Sequence, residues 1–295
     1  MQRGVKFSLF LGFVLLAVGL VGAAVTFKSL DLTAGFSTIN VEKKVAAAGI
    51  DTIILNTDTS SVTFLPSNTD EISVSLTGSL REANAADCTL EATVDNATTW
   101  RIDACSRRGH IHFGFDIDEF KSLFSGQKFG LKTEVRVPDK LFKAITVKTD
   151  TGIIDLGSLK SDKLTATADT GSIHVDHFEG KQLSLQTDTG SILVDDAQGD
   201  VKLRTDTGQI NAALAAIGNE VSLSADTGSI RLQVPSKIDN VSFDLRSDVG
   251  SARLNVPAVD VQESSRTSVK GIIGDGSKKV KATTDTGFIE VRTRE

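Results

Sequence analysis

The tripeptide Asp-Thr-Gly, which carries the paired catalytic carboxylates of aspartic proteases, recurs along the C-terminal half of this 295-residue chain. Proteolysis needs two such turns face to face, so that their carboxylates share one proton. The sequence has six copies and one Asp-Val-Gly variant, at steps of 19, 19, 18, 20, 22 and 37 residues. Stacked repeats place equivalent turns in a row, so the spacing predicts structural turns and not a protease. The turn positions are Asp150, Gly152, Asp169, Gly171, Asp188, Gly190, Asp206, Gly208, Asp226, Gly228, Asp248, Gly250, Asp285 and Gly287.

Calcium binding is the second chemistry that repeated carboxylates suggest, because some β-solenoids bind calcium between successive Asp-bearing turns. The nonapeptide repeat of those proteins has the pattern Gly-Gly-x-Gly-x-Asp. Each turn here has one Gly, placed after the Asp. Oxygen atoms of Asp and Thr could bind a hard cation weakly, but we expect a metal-free turn and no cofactor.

The four histidines fall into two pairs. His110 and His112 would share one strand face, and His174 and His177 follow the second repeat turn. Either pair could supply half of a metal site, but no Cys or acidic partner lies at a recognisable ligand spacing. We therefore expect surface histidines.

Nucleophilic catalysis has no signature in the chain. The motif Gly-x-Ser-x-Gly is absent, and no Ser, His and Asp set is marked out by a motif. We expect a protein that is not an enzyme. The alternative is an enzyme that acts on a polysaccharide from one face of a long β-helix.

The residues flanking each turn alternate between apolar and polar, which is typical of two short, half-buried β-strands per repeat. The Gly supplies the positive φ that the turn requires, and the Asp side chain is expected to accept hydrogen bonds from local backbone N–H groups. Apolar residues stand five and three positions before the Asp and four and six positions after it. Before the turns they are Ile145, Val147, Leu164, Ala166, Leu183, Leu185, Val201, Leu203, Val221, Leu223, Phe243, Leu245, Val280 and Ala282. After the turns they are Ile154, Leu156, Ile173, Val175, Ile192, Val194, Ile210, Ala212, Ile230, Leu232, Ala252, Leu254, Ile289 and Val291.

A unit of about 19 residues cannot bury its apolar face alone, so the copies must stack. The sequence predicts an all-β fold, a parallel β-helix or β-solenoid, over residues 45–295. Thr149, Thr187, Thr205 and Thr284 would form a ladder beside the ladder of Asp. The 37-residue step predicts a degenerate coil around Val256 to Asp275.

A separate first coil precedes a stretch that breaks the period. Ile53, Leu55, Asp58, Val62 and Phe64 fit the repeat, with Ser60 in place of Gly. The stretch at about 70–143 is predicted to be an antiparallel β insertion.

Within this insertion, a hairpin around Asp95 to Thr98 would pair Val94 with Thr99 and Cys88 with Cys105. Cross-strand cysteines can form a disulfide, which requires an oxidising compartment. Two reduced, buried thiols are the alternative.

The N-terminal residues 1–28 are predicted to be a short cytoplasmic segment and a transmembrane helix. Phe7 to Phe27 carries no charge and is long enough to span a bilayer, and Arg3 and Lys6 precede it. The positive flank orients the rest of the chain to the extracytoplasmic side. A cleaved signal peptide is the alternative. Residues 29–44 are predicted to be a linker.

The composition argues against a nucleic-acid partner. The net charge is −6 and the pI is about 5.3, and the chain has no basic block beyond its N-terminal flank.

The repeats LSLQTDTGSILVDD and VSLSADTGSIRLQV, with the closing GDGSKKVKATTDTGFIEV, resemble the bacterial putative-adhesin family of β-strand repeat proteins. The resemblance covers roughly Val45 to Val291. It implies a β-strand repeat architecture, and it supplies no catalytic residues.

These observations together predict a membrane-anchored extracytoplasmic β-solenoid that binds a cell-wall polymer or an envelope protein. A self-assembling structural module of the envelope is the alternative, in which unpaired terminal strands stack end to end.

Overall fold

The structure is a computed structural model that describes residues 36–81, 85, 88–105 and 130–294. These residues form an all-β fold, as predicted, and nearly all of them belong to one compact unit over Ser37–Ile111 and Phe129–Glu295. The predicted transmembrane helix of residues 1–28 lies outside the described residues. Within the described ranges, no helix has the length and apolarity needed to span a membrane.

The described part of the chain contains twenty-one strands and one short 3-10 helix, Ala47–Gly49. The first seven strands are β1 Phe36–Ala46, β2 Thr52–Thr57, β3 Ser60–Ser67, β4 Glu71–Arg81, β5 Leu90–Asp95, β6 Thr99–Ala104 and β7 Gly130–Pro138. The repeat strands follow as β8 Phe142–Thr151, β9 Ile154–Asp155, β10 Ser158–Thr170, β11 Ile173–Val175, β12 His177–Thr189, β13 Ile192–Ala197, β14 Asp200–Thr207, β15 Ile210–Leu214, β16 Glu220–Thr227 and β17 Ile230–Val234. The last four are β18 Val241–Asn255, β19 Asp260–Ser264, β20 Ser268–Ile273 and β21 Lys278–Thr293.

Each repeat forms one coil with two strands, and equivalent strands of successive coils pair in parallel. The strands before the turns (β2, β8, β10, β12, β14, β16) form the first sheet, and the shorter strands after the turns (β3, β9, β11, β13, β15, β17) form the second. The register is that of the repeat, since Leu164 pairs with Leu183 and Ile173 with Ile192. Of the predicted inward apolar residues only Leu254 is not fully buried, so the solenoid prediction is confirmed.

The last coils do not stack in chain order. Strand β21 makes the final coil, yet it pairs on one side with β16 and β17 and on the other with β18 along its whole length. The coil of Asp248, which has the variant turn, is therefore the outermost one. The coil of Asp285 lies between it and the coil of Asp226.

The predicted degenerate coil at Val256 to Asp275 is wrong. Strands β19 and β20 pair antiparallel with each other, and β20 pairs antiparallel with the outer edge of β18. The segment has no Asp-Thr-Gly turn, and the chain reverses between Ser264 and Ser268, where Ser265 N–H donates to the Ser268 carbonyl at 2.8 Å. The segment caps the end of the first sheet and does not add a coil.

The predicted antiparallel insertion at about 70–143 is only partly antiparallel. Strands β6 and β7 run parallel to β2 and β3 and form an extra coil outside the first one. Strands β5 and β4 then pair antiparallel with β6 and β7 and cover their edges. Strand β1 pairs with β4 and begins at Phe36, so a strand occupies part of the 29–44 stretch predicted to be a linker.

The hairpin of β5 and β6 differs by one residue from the predicted register. Asp95 pairs with Thr99 and Val94 with Trp100, so the loop between the paired residues has three residues instead of the four predicted. The reason lies in the neighbouring coil, because the Thr98 carbonyl accepts hydrogen bonds from the N–H groups of Asp51 and Thr52 and leaves the hairpin ladder.

The structure joins Cys88 and Cys105 by a disulfide despite the shifted register. Cys105 has a φ of 50°, which turns its backbone toward the opposite strand. Its N–H donates to the Thr89 carbonyl at 2.9 Å. This local bend brings residue 105 back beside residue 88.

The glycines of the turns form a continuous column through the solenoid. Gly190 has a φ of 152°, and a Cβ atom there would overlap the carbonyl oxygen of Gly171 in the preceding coil. Its N–H donates to the Thr207 carbonyl of the next coil at 2.9 Å. The turn is thus held by a hydrogen bond to the neighbouring coil and not by one within its own coil. The column runs Gly152, Gly171, Gly190, Gly208, Gly228, Gly287 and Gly250.

The predicted Thr ladder lies inside the solenoid, directly beside the glycine column. Thr149, Thr187, Thr205 and Thr284 are buried. The hydroxyls of the last three donate to the glycine carbonyl of the preceding coil at 2.8, 3.0 and 3.1 Å. Each of these buried hydroxyls therefore has a hydrogen-bond partner, and its hydrogen bond reinforces the contact between coils.

The Asp side chains of the turns do not bind local backbone donors, which corrects the prediction made from turn chemistry. All seven are exposed or half-exposed. Asp150 lies 3.8 Å from Lys148, and Arg204 contacts Asp206 at 2.8 Å and Asp226 at 3.4 Å. The strand runs extended through the Asp and the following Thr, so the side chains point to water.

We expect two substitutions in one turn to separate the structural role of the glycine from that of the exposed Asp. Gly190→Ala should lower the free energy of unfolding by at least about 3 kcal/mol, because the new Cβ overlaps a backbone oxygen. Asp188→Ala, two residues away and exposed, should change it by less than about 0.5 kcal/mol. Urea unfolding of the full chain measures both free energies. A Gly190→Ala variant as stable as the parent would contradict the close packing of successive turn glycines.

The position of β21 predicts the effect of a C-terminal truncation. Ending the chain after Gly276 removes β21, so β18 loses its parallel partner and the segment 241–273 should exchange its amide hydrogens rapidly. The coils up to β15 should stay protected, whereas β16 and β17 also lose a partner strand. A chain that lacks only Arg294 and Glu295 is the control. Continued protection of 241–273 in the truncated chain would show that β18 can stack on β17 directly.

Candidate functional site: the second-sheet face around His174

The outer side of the second sheet is a polar face built by one position of each coil. The residue directly after the first buried apolar residue of that strand points outward, and these residues pair in register from coil to coil. We call this surface the second-sheet face. Over the coils of the seven repeat turns, its central row, in stacking order, is Asp155, His174, Leu193, Asn211, Arg231, Glu290 and Arg253. Thr63 and Glu134 continue the row beyond Asp155.

One end of the face is acidic and centres on His174. The imidazole Nε2 lies 3.1 Å from Asp195 Oδ2 and 3.3 Å from Asp176 Oδ1, and Nδ1 lies 3.8 Å from Asp155 Oδ1. The three carboxylates come from three successive coils, those of β9, β11 and β13. The His174 side chain is 31% exposed, so the ring is half-buried among the carboxylates and still open to solvent.

A histidine–aspartate pair, His177 and Asp196, lies beside this cluster. His177 Nδ1 is 2.8 Å from Asp196 Oδ2, and Arg294 donates to Asp196 Oδ1. Burial of the Asp196 carboxyl opposes its ionisation, but the hydrogen bonds from Arg294 and His177 outweigh that cost and hold its pKa below the ordinary value. Both oxygen atoms of this carboxylate are therefore hydrogen-bonded, one to His177 and the other to Arg294.

The other end of the row is mostly basic, with Glu290 between Arg231 and Arg253. Arg231, Arg253 and Arg292 are exposed there, on the coils of β17, β18 and β21. The Arg231 guanidinium lies 4.5 Å from the centroid of the Phe288 ring, a cation–π distance that fixes the side chain against the surface. The face therefore changes from negative to positive along the solenoid axis.

The turn carboxylates of the protease and calcium hypotheses lie elsewhere, in one row along the edge between the two sheets. Register brings each beside its equivalent in the next coil, about one strand spacing or roughly 4.8 Å apart, and not face to face. Within the described ranges, the group of three or more metal-ligating side chains that comes together is Asp155, His174 and Asp176, whose ligand atoms lie within 4.8 Å of one another.

The acidic partners of His174 are the part of the site that the sequence prediction missed. We expected surface histidines because no acidic residue had a familiar local spacing. The partners Asp155 and Asp195 are 19 and 21 residues away, close to one coil length. The repeat period itself was the signal that could have found them. The other predicted pair, His110 and His112, lies outside the described residues.

The geometry defines a parallel β-solenoid of Asp-Thr-Gly coils with one polar, charge-divided face. The chain belongs to the Toastrack DUF4097 family, whose model matches residues 50–198 and, in a second match, residues 160–292. The family resemblance expected from the repeats is thereby confirmed. No curated protein matches the chain.

Three solved structures are similar to this chain at low identity. A putative cell adhesion protein from Clostridium sporogenes has 10% identity and a TM-score of 0.35, with 88% of this chain and 100% of that chain covered. A putative adhesin from Bacteroides fragilis has 13% identity and a TM-score of 0.38, with 86% and 98% covered. A putative lipid binding protein from Parabacteroides distasonis has 11% identity and a TM-score of 0.32, with 87% and 97% covered.

Proposed function

We propose that this chain is a membrane-anchored, extracytoplasmic binding protein that is not an enzyme. Its β-solenoid presents the second-sheet face to another macromolecule of the cell envelope, a cell-wall polymer or an envelope protein. The observation that carries the proposal is the contrast between the two sides of each second-sheet strand. The inward residues stay apolar in every coil, while the central outward row changes in charge and size from coil to coil.

A rigid row of exposed side chains at a spacing of about 4.8 Å suits an extended partner better than a small molecule. The charge division adds direction, because a partner with a positive and a negative region fits in one orientation only. Arg231, held on Phe288, is well placed to contact such a partner with little loss of side-chain freedom.

The capped ends of the solenoid favour binding over end-to-end assembly. Antiparallel strands β4 and β5 cover the edges of β7 and β6 at one end, and β20 covers β18 in the first sheet at the other. The outermost strand β19 is short and exposed throughout, and it contains Asp260 and Glu263. Charged, short edge strands disfavour further strand pairing.

Two observations support the extracytoplasmic location. The apolar run Phe7 to Phe27 follows Arg3 and Lys6, an arrangement that leaves the N-terminus in the cytoplasm and exports the rest. The disulfide between Cys88 and Cys105 requires an oxidising compartment to persist.

We expect binding to depend on the basic end of the second-sheet face. The full chain in detergent is incubated with purified cell-wall fragments and, separately, with solubilised envelope proteins of the producing organism. Arg231→Glu combined with Arg253→Glu should reduce retention of the bound fraction at least tenfold, because two of the three arginine charges at that end are reversed.

Lys202→Glu with Lys281→Glu, on exposed positions of the first sheet, is the matched control and should bind like the parent. Equal retention by both double variants would contradict the assignment of the face. Release of polysaccharide fragments from the wall preparation would favour the alternative enzymatic function.

The compartment has its own test in the thiols. In protein taken from intact cells, Cys88 and Cys105 should resist alkylation until a reductant is added. Replacement of both by Ser should then lower the free energy of unfolding by about 3 kcal/mol, as expected for a loop of this size. Alkylation of these thiols without reductant would show that the disulfide does not form in the cell and would contradict an oxidising compartment.

A further inference from the structure

The His174 cluster brings three metal-ligating side chains together on the face, with a further carboxylate, that of Asp195, bound to the imidazole. Asp155 stands on β9, His174 and Asp176 belong to the coil of β11, and Asp195 stands on β13. Parallel pairing fixes His174 directly beside Asp155. The ladder thus sets the positions of Asp155 and His174, and Asp176 and Asp195 each follow three residues after the first buried residue of their strands.

The charges of the cluster are unbalanced. Asp155, Asp176 and Asp195 form their ion pairs with His174 alone, and across the described residues no Lys or Arg reaches any of them. A protonated imidazole would offset one of the three negative charges. By contrast, the neighbouring Asp196 has Arg294 as well as His177. Within the described part of the chain, the three carboxylates of the cluster therefore have no cationic partner equivalent to the Arg294 of Asp196.

We propose that this cluster binds one divalent transition-metal ion, with Zn²⁺ as the preferred ion. Asp155, His174 and Asp176 are the ligands, since their ligand atoms already lie within 4.8 Å of one another. Asp195 is a positioning residue. When Nε2–H donates to Asp195 at 3.1 Å, the lone pair of Nδ1 is left free on the side of Asp155. The exposed Asp176 side chain, whose Oδ1 lies 3.3 Å from Nε2, must then turn toward Nδ1 to complete the ligand set. A carboxylate that orients the ligating imidazole is a recurrent feature of zinc sites.

The ligand set favours zinc over calcium. Calcium takes six to eight oxygen ligands, whereas Zn²⁺ accepts imidazole nitrogen and carboxylate oxygen and is often held by three protein ligands with water in the fourth position. Imidazole also distinguishes transition metals from magnesium and calcium, which bind nitrogen poorly. The site is open to solvent, so water can complete the coordination. This inference does not depend on the macromolecular partner proposed above.

The test is titration of Zn²⁺ alone into the full chain in detergent, followed by isothermal calorimetry. His110→Gln and His112→Gln are included throughout so that the other histidine pair does not contribute. We expect one ion per chain, a loss of affinity of at least 100-fold for His174→Gln, and of at least tenfold for Asp155→Asn and for Asp176→Asn. Asp195→Asn should weaken binding about tenfold and keep the stoichiometry.

His177→Gln is the matched control, because His177 lies three residues from His174 and also pairs with a carboxylate, yet stands outside the ligand set. It should bind Zn²⁺ like the parent. Nitrogen NMR of the rings provides a second readout, in which Zn²⁺ should shift Nδ1 of His174 and leave His177 unchanged. Far-UV circular dichroism of each variant shows that the fold is retained.

Two results would overturn the proposal. One is the absence of Zn²⁺ binding by the full chain, which would make the cluster an ion-pair network only. The other is binding that persists at full affinity in His174→Gln, which would place the ion elsewhere.

Discussion

The close stacking of the turn glycines is the constraint on which the rest of the solenoid depends. Each glycine lies against the carbonyl oxygen of the preceding one, so tightly that no side chain fits between them. Its N–H bonds to the next coil, and the hydroxyl beside it bonds to the coil before. The turn thus fixes the height and the register of a coil at once, and every inward apolar residue falls on its equivalent.

The same stacking explains why the outer surfaces differ in character. A residue type repeated in every coil becomes a column at the strand spacing, and a column of carboxylates is tolerable only where water screens it. The turn Asp side chains meet that condition at the exposed edge, with Arg204 between Asp206 and Asp226. On the second-sheet face the charges change from coil to coil. That face is therefore free to carry a specific arrangement of groups.

The sequence period was sufficient to predict the inward residues, the glycines and the buried Thr ladder, because each depends on the position within one coil. It could not predict which coils become neighbours. Strand β21 fits between β17 and β18 because its intact turn and buried Ile289 and Val291 match the regular coils, whereas Ala252 and the half-buried Leu254 match less well. Similarly, the hairpin register depends on the Thr98 carbonyl and a strand distant in sequence. The role of the turn Asp was mispredicted because its local rule assumes a tight turn, and the chain here stays extended.

The irregular ends and the regular middle have different tasks. A parallel solenoid leaves unpaired strand edges at its ends. Segments that reverse direction cover them, β4 and β5 at one end and β20 in the first sheet at the other. Such reversals break the repeat, so they cannot hold side chains at positions set by the coil spacing. The His174 cluster lies in the coils of β9, β11 and β13, well inside the regular coils. Groups that must converge from three different coils can be held in place only there, because the register of each of those coils is fixed from both sides.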